Sequence, residues 1–158
     1  MAFGERVATV YSKRAGGMHF ALERVCMPLV NISIPKGKSP EYVKAVADGV
    51  NSAVLATFEG FPADDRYQVI HEHEPYELEY QKRTGDRVML YLIMRTGQTP
   101  ASKKSFYRKV VENLKRSPGI DPANVLITIA ENHDIDWSFR DGVAQFVQTS
   151  QLFRKRKG

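Results

Sequence analysis

The chain is organised around the stretch Met27-Pro28-Leu29-Val30-Asn31-Ile32-Ser33-Ile34, a proline that leads a strand-like alternation of residues. If translation began at Met27 and that residue were removed, Pro28 would carry a free secondary amine. An N-terminal amine has a pKa of about 7.7–8.0, close enough to neutrality for proton transfer. Inside a longer chain the same proline is a tertiary amide with neither a proton nor a basic lone pair. Whether the chain begins at Pro28 therefore decides whether this proline can take part in proton transfer.

Length and composition predict one globular domain. The 158 residues, 42% hydrophobic and 26% charged, are enough to bury a core. No apolar run reaches the roughly 18–20 residues that span a bilayer, so we expect no membrane segment. The single cysteine, Cys26, excludes an internal disulfide framework and favours a reducing, cytoplasmic location.

The net charge of +5 comes from the ends of the chain. Residues 1–27 contribute +2 and the run at 154–157 contributes +4, which leaves −1 for the body. A near-neutral body argues against a dedicated nucleic-acid binder. We divide the chain into an N-terminal extension (1–26), one domain (27–150) and a basic tail (151–158). The extension has no clear periodicity, and we interpret it as a removed segment or a start assigned too early.

The first half of the body predicts a β-α-β unit. Residues 29–34 alternate as a strand and a turn follows, and Ser39 is then placed as the N-cap of a helix that begins at Pro40. Apolar residues recur at helical spacing over 40–58, and a second strand is predicted over 67–71.

The second half repeats the first at an offset of 60 residues. Gly97 corresponds to Gly37 and Pro100 to Pro40, with cap and proline in register. The nearly continuous apolar run 88–94 is typical of a strand covered on both faces, and another strand is predicted over 125–130. Residues 75–87 are expected to form a connector or hairpin.

Two tandem β-α-β units predict an α/β (α+β) fold, a four-stranded sheet with both helices on one face. Such a sheet leaves one face and two edges uncovered, so we expect a homo-oligomer. Residues 136–147 are expected to form an aromatic hairpin or loop that extends over a neighbour.

Several short motifs occur in one order along residues 27–147. They are Met27-Pro28-Leu29, Asp65-Arg66-Tyr67-Gln68, Phe106-Tyr107, Gly119-Ile120-Asp121-Pro122, and Glu131-Asn132 followed by Asp136-Trp137-Ser138-Phe139. This ordered set resembles the tautomerase superfamily of N-terminal-proline enzymes, and most closely its malonate semialdehyde decarboxylase branch. The resemblance implies a tautomerase-like trimer that works without a cofactor on small oxo acids.

The resemblance also implies roles for individual residues. Pro28 matches the catalytic proline, Asp65 the aspartate that activates water or polarises the substrate, and Arg95 a substrate-binding arginine. The aromatic wall of the pocket is matched by Trp137, Phe139 and Phe146. Gly97 stands where the decarboxylase pattern has a second arginine, which favours simple tautomerisation over decarboxylation.

These roles have a physical rationale. An aromatic pocket and the cation of Arg95 both disfavour a protonated Pro28, so the amine is a neutral base able to take a proton from carbon next to a carbonyl. Arg95 would hold the substrate carboxylate and stabilise enolate charge. An alternative is a decarboxylase, hydratase or dehalogenase in which Pro28 is the acid and Asp65 activates water. Another is a non-catalytic oligomeric binding protein in which residues 1–26 block Pro28.

Structural explanations compete with each assignment. Pro28 would be an ordinary strand-leading proline, Asp65 a turn residue, Arg95 a surface residue, and the aromatic side chains core or interface. His71 and His73 share a strand face, but no third ligand of suitable spacing follows, so no metal site is predicted.

Overall fold

The computed structural model describes residues 28–58, 60–61, 63 and 66–147. The predictions for residues 1–26 and 151–158, and for Met27 and Asp65, lie outside this range. The elements in chain order are β1 (Leu29–Pro35), α1 (Pro40–Thr57), β2 (Gln68–His73), β3 (Val88–Arg95), α2 (Pro100–Arg116) and β4 (Val125–Asn132). Short 3-10 helices span Pro122–Asn124 and Asp134–Asp136. None of the helices in the described ranges has the length and apolar character to cross a membrane.

The four strands form one mixed sheet in the order β2-β1-β3-β4. β1 and β2 are parallel, β3 and β4 are parallel, and the central pair β1/β3 is antiparallel. This topology confirms the two tandem β-α-β units. Asn31 lies opposite Tyr91 at the centre of the β1/β3 ladder, and the two residues are also 60 positions apart. The two repeats are therefore related by a pseudo-twofold axis that passes through the middle of the sheet.

The turns that enter the two helices are built alike. Gly37 has a φ of +84° and Gly97 a φ of +115°, values that side-chain-bearing residues rarely adopt. The hydroxyls of Ser39 and Thr99 each accept a hydrogen bond from the backbone N–H three residues on, and each helix then begins with proline. The sequence repeat thus reproduces backbone geometry in detail.

One hydrophobic core lies between the sheet and the two helices. Alternate residues of β1 and β3 enter it, and so do the inner faces of α1 and α2. The buried set includes Val30, Ile32, Ile34, Leu90, Leu92 and Met94 from the strands and Val46, Val50, Val54, Phe106, Val110 and Leu114 from the helices. Both helices therefore cover the same face, as predicted.

The opposite face of the sheet is open in the single chain. Tyr91 and Val69 are each 45% exposed there. The apolar run of β3 predicted cover on both faces, but the chain itself covers only one. Residues 74–87 form turns without a strand, which makes this segment a connector rather than a hairpin.

Candidate active site

One end of the sheet carries those predicted site residues that the structure describes. Pro28 is buried and directly precedes β1, and the next-but-one residue, Val30, donates its N–H to the carbonyl of Tyr67 at 2.9 Å. Because Leu29 lies opposite Ile93 in the antiparallel ladder, extending the register by one residue places Pro28 opposite the residue before Arg95. The starts of β1 and β2 thus meet the ends of β3 and β4.

Arg95 ends β3 at this end of the sheet, and its side chain is 13% exposed. Its Nε donates to Oδ1 of Asp134 at 2.8 Å, and its Nη2 lies 2.7 Å from the same oxygen. The guanidinium carbon stands 4.2 Å from the centre of the Phe146 ring, a cation–π distance. Arg95 is therefore held at one edge by a carboxylate and on one face by an aromatic ring.

The three predicted wall residues form one aromatic cluster. The rings of Trp137 and Phe139 stack with centroids 5.6 Å apart and an interplanar angle of 17°. Phe146 meets both edge-on, at 6.5 and 5.4 Å, and Tyr67 lies 5.9 Å from Phe139. The structure therefore brings Arg95, Trp137, Phe139 and Phe146 together beside the strand that Pro28 begins. The segment 136–147, predicted to extend over a neighbour, packs on its own chain here, although Phe139 stays 39% exposed.

Asp65 lies outside the described residues, so its predicted role stays a prediction. The next residue, Arg66, is directed toward α1, where its Nη1 donates to Oδ1 of Asp48 at 2.8 Å. Lys44, and then Arg66, hold the pKa of the Asp48 carboxyl below its usual range by hydrogen bonds and charge.

Three further residues at this end were not assigned a role from the sequence: Tyr67, Asn132 and Asp134. Asn132 lies opposite Arg95 in the β3/β4 ladder, and its Oδ1 accepts from Nε1 of Trp137 at 2.6 Å. Asp134 follows two residues later. Asp134 could have been identified from its position, because its carboxylate comes just after the end of β4 and β4 lies next to the strand of Arg95.

The two histidines of β2 have separate partners. Nε2 of His71 lies 3.1 Å from Oδ1 of Asn31, and Nε2 of His73 lies 3.2 Å from the hydroxyl of Ser33. Within the described part of the chain, no three histidine, cysteine or acidic side chains cluster as metal ligands do.

A groove of about 500 Å³ runs between the outer sides of α1 and α2. Its lining includes Asp48, Gly49 and Asn113, and neither Pro28 nor the residues around Arg95 contribute to it. This groove belongs to the helical surface and not to the candidate active site.

Comparisons with known proteins identify the family. Two models of the tautomerase enzyme family match, one over residues 28–80 and the other over residues 65–140. The probable tautomerase YrdN of Bacillus subtilis (strain 168) is 31% identical over 127 residues, which cover 77% of this chain and 97% of the relative. The probable tautomerase YusQ of the same organism is 27% identical over 128 residues, 77% of this chain and all of the relative.

A solved structure of malonate semialdehyde decarboxylase has the same fold. It is 32% identical, with a TM-score of 0.69, over 77% of this chain and 98% of that chain. The strand order, the doubled β-α-β unit and these matches lead to one assignment: the chain belongs to the tautomerase superfamily.

Proposed function

We propose that this protein is a cofactor-free tautomerase of small 2-oxo or 3-oxo carboxylic acids, with the amine of Pro28 as general base when Pro28 is the chain terminus. The observation that carries the proposal is the position of Arg95, 13% exposed and set against an aromatic cluster at the end of the sheet where Pro28 precedes β1. One tautomerase family match also begins at residue 28, and the related proteins from Bacillus subtilis are named as tautomerases.

The proposed reaction moves one proton. The neutral Pro28 nitrogen takes a proton from the carbon next to the substrate carbonyl, and the electron pair of that C–H bond becomes the enolate. The same nitrogen then gives the proton to the enolate oxygen, which forms the enol. In the reverse direction the nitrogen takes the proton from the enol oxygen and returns it to carbon. Positioned acid–base groups of this kind contribute about 10²–10⁴-fold in rate.

Arg95 and the aromatic residues support that step. A guanidinium binds a carboxylate through paired N–H donors and stabilises the negative charge that spreads over the enolate. Aromatic walls exclude water, which disfavours the protonated amine and strengthens the attraction between Arg95 and the substrate.

Decarboxylation of malonate semialdehyde, or hydration, is the second candidate, because malonate semialdehyde decarboxylase is among the similar solved structures. In this reaction Pro28 would be the acid and Asp65 would activate water. Gly97 weakens the proposal: it stands where the decarboxylase pattern has a second arginine, and it has a φ of +115°. Tautomerisation, which needs one carboxylate-binding cation, is therefore preferred.

We also propose that the protein assembles as a homo-oligomer, with a trimer as the expected form. The open sheet face supports this, because Val69 and Tyr91 are 45% exposed on a surface that the chain's own helices leave uncovered. Burial of such a face against other copies removes apolar surface and sheet edges from water. Sedimentation equilibrium over a range of concentrations measures the assembly directly, and a monomer at every concentration would exclude it.

The decisive experiment compares three proteins in ketonisation of phenylenolpyruvate and in CO2 release from malonate semialdehyde. They are the chain that starts at Pro28 after removal of Met27, the same chain with Pro28→Ala, and the chain from Met1. We expect activity only in the first, about 10²–10⁴-fold above the Pro28→Ala variant. Equal activity in the variant, or in a verified Met1 form, would exclude the amine mechanism. Mass spectrometry of the natural N-terminus shows which form exists.

A further inference from the structure

The contact between Arg95 and Asp134 is unusual for an ion pair at a protein surface. Arg95 is 13% exposed while Asp134 is 44% exposed, and two guanidinium nitrogens, Nε and Nη2, converge on one oxygen, Oδ1. A guanidinium has two forked edges that can grip a carboxylate, a side edge of Nε and Nη2 and an end edge of Nη1 and Nη2. Asp134 takes the side edge of the Arg95 guanidinium.

The backbone that carries Asp134 is tied to the strand of Arg95. Asn132 ends β4 directly opposite Arg95, and its carbonyl accepts from the N–H of Thr96 at 2.9 Å. The 3-10 helix that contains Asp134 follows at once, and it is closed by a hydrogen bond from the N–H of His133 to Oδ2 of Asp136 at 2.8 Å. The backbone on which the carboxylate stands is thus placed by the ladder that also fixes the arginine backbone.

The aromatic cluster completes the restraint. The Phe146 ring, 4.2 Å from the guanidinium carbon, fixes the plane of the group, and Asp134 fixes its rotation within that plane. A long arginine side chain loses much conformational freedom when it binds a ligand, and a side chain already ordered loses less. The charged pair Lys103–Glu131 lies nearby but on the helix side of the sheet, since Glu131 is opposite the buried Met94.

We propose that Asp134 is a positioning residue, which holds the Arg95 guanidinium in the orientation that receives the carboxylate of the substrate. The proposal rests on the proposed function, in which Arg95 binds that carboxylate. Asp134 has two opposing effects: its oxygen orders the guanidinium, and its charge partly neutralises it. Asparagine keeps an oxygen acceptor without the charge, and alanine removes both, so the two substitutions separate the effects.

The test measures binding and turnover. In the full chain, the fluorescence of Trp137, the single tryptophan, reports binding of benzoate, a carboxylate that cannot enolise. We expect Asp134→Asn to bind benzoate about 2–10-fold more tightly than the parent, because a repelling charge is gone. Asp134→Ala should bind about tenfold more weakly than Asp134→Asn. In the active form, Asp134→Ala should lower kcat about 10–100-fold, because misplaced binding groups are costly, and Asp134→Asn should restore most of it.

Asp141→Asn is the matched control. It removes one negative charge from the same segment, 82% exposed and next to Arg140, without contact to Arg95. Its kcat and benzoate affinity should stay within about twofold of the parent, and thermal unfolding should show all variants folded. Equal behaviour of Asp134→Asn and Asp134→Ala in both assays would overturn the positioning role. Benzoate binding that shows the expected contrast, with no turnover in the parent, would instead reject the proposed function alone. No benzoate binding in any variant would reject both.

Discussion

Exchange of Gly97 for arginine tests how the backbone limits the chemistry of this site. The decarboxylase pattern has an arginine at this position, but Gly97 has a φ of +115°, where a side chain is strained. No atom of the described residues lies within 4 Å of the position that a Cβ would take there, so a clash with them does not contribute to the cost. The left-handed conformation alone costs a residue with a side chain about 1–2 kcal/mol.

The matched control is Gly37→Arg. Gly37 occupies the same turn in the first repeat, with a φ of +84° and equally open space around its Cβ. For a body of about 120 residues, an unfolding entropy of about 2.1 cal/mol/K per residue converts 1–2 kcal/mol into a Tm loss of about 4–8 °C. Gly97→Arg should lose at least as much as Gly37→Arg, because its φ is further from the left-handed minimum.

Thermal unfolding followed by circular dichroism at one fixed protein concentration measures both losses. A Gly97→Arg protein that keeps the parent Tm would refute the backbone argument. Activity separates the two variants further. A second cation near the bound carboxylate, screened by water, contributes on the order of 1 kcal/mol, so Gly97→Arg should lower KM for a 2-oxo acid about fivefold. Gly37→Arg, at the other end of the sheet, should leave KM unchanged.

Three further predictions concern single contacts. Phe146→Leu removes the ring beside the guanidinium, and loss of a cation–π contact of about 0.5–2 kcal/mol should raise KM about 2–30-fold; an unchanged KM would mean that the ring does not support substrate binding. Tyr42→Phe removes a buried hydroxyl that has no hydrogen-bond partner among the described residues, so the free energy of unfolding in urea should stay constant or rise by up to about 1 kcal/mol. Burial, and then the charge of Asp86, raise the pKa of the Tyr42 hydroxyl. If Tyr42→Phe instead lowered the free energy of unfolding, Asp86 would be shown to accept a hydrogen bond from this hydroxyl. The Asp48 carboxyl, 42% exposed, has a lowered pKa in the folded protein. Its ion pairs therefore stabilise the fold fully at pH values above the unfolded-state pKa of about 3.9, and this stabilisation is lost as the pH falls through the folded-state pKa. Asp48→Asn should lower Tm by about 1–3 °C at pH 7 and by nothing below about pH 3, and a difference independent of pH would contradict the assignment.

The fold was largely predictable because the repeat contains residues that require particular backbone conformations. Gly37 and Gly97 mark a positive φ, and the capped prolines after them mark helix starts, so the offset of 60 residues sets the topology. The strand ends moved by only a few residues: β2 runs over Gln68–His73 where 67–71 was predicted. Strand ends depend on ladder partners that are distant in sequence.

The candidate site was predictable only in part. Arg95, Trp137, Phe139 and Phe146 were expected to meet, and the structure brings them together. Asp134 was not singled out, because its contact with Arg95 depends on the register Arg95–Asn132 and on a 3-10 turn. Neither the register nor the turn has a local sequence signature, and only the place of the carboxylate just past a strand end could have pointed to Asp134. The exposure of Tyr91 agrees with the uncovered sheet face that two β-α-β units imply. The apolar character of β3 indicates burial without saying whether its own chain or another copy supplies the cover.

The pseudo-twofold axis through Asn31 and Tyr91 makes the two ends of the sheet geometrically alike but chemically unequal. At an offset of 60, the counterpart of Pro28 is Val88, and the counterpart of Arg95 is Pro35. Val88 is joined to Arg87 by a peptide bond whatever happens at the chain start, so its nitrogen can never be a free amine. Amine chemistry is thus possible once per doubled chain, and an assembly of this protein has at most as many such centres as it has polypeptides. The second end of the sheet therefore lacks the group on which the proposed amine mechanism depends.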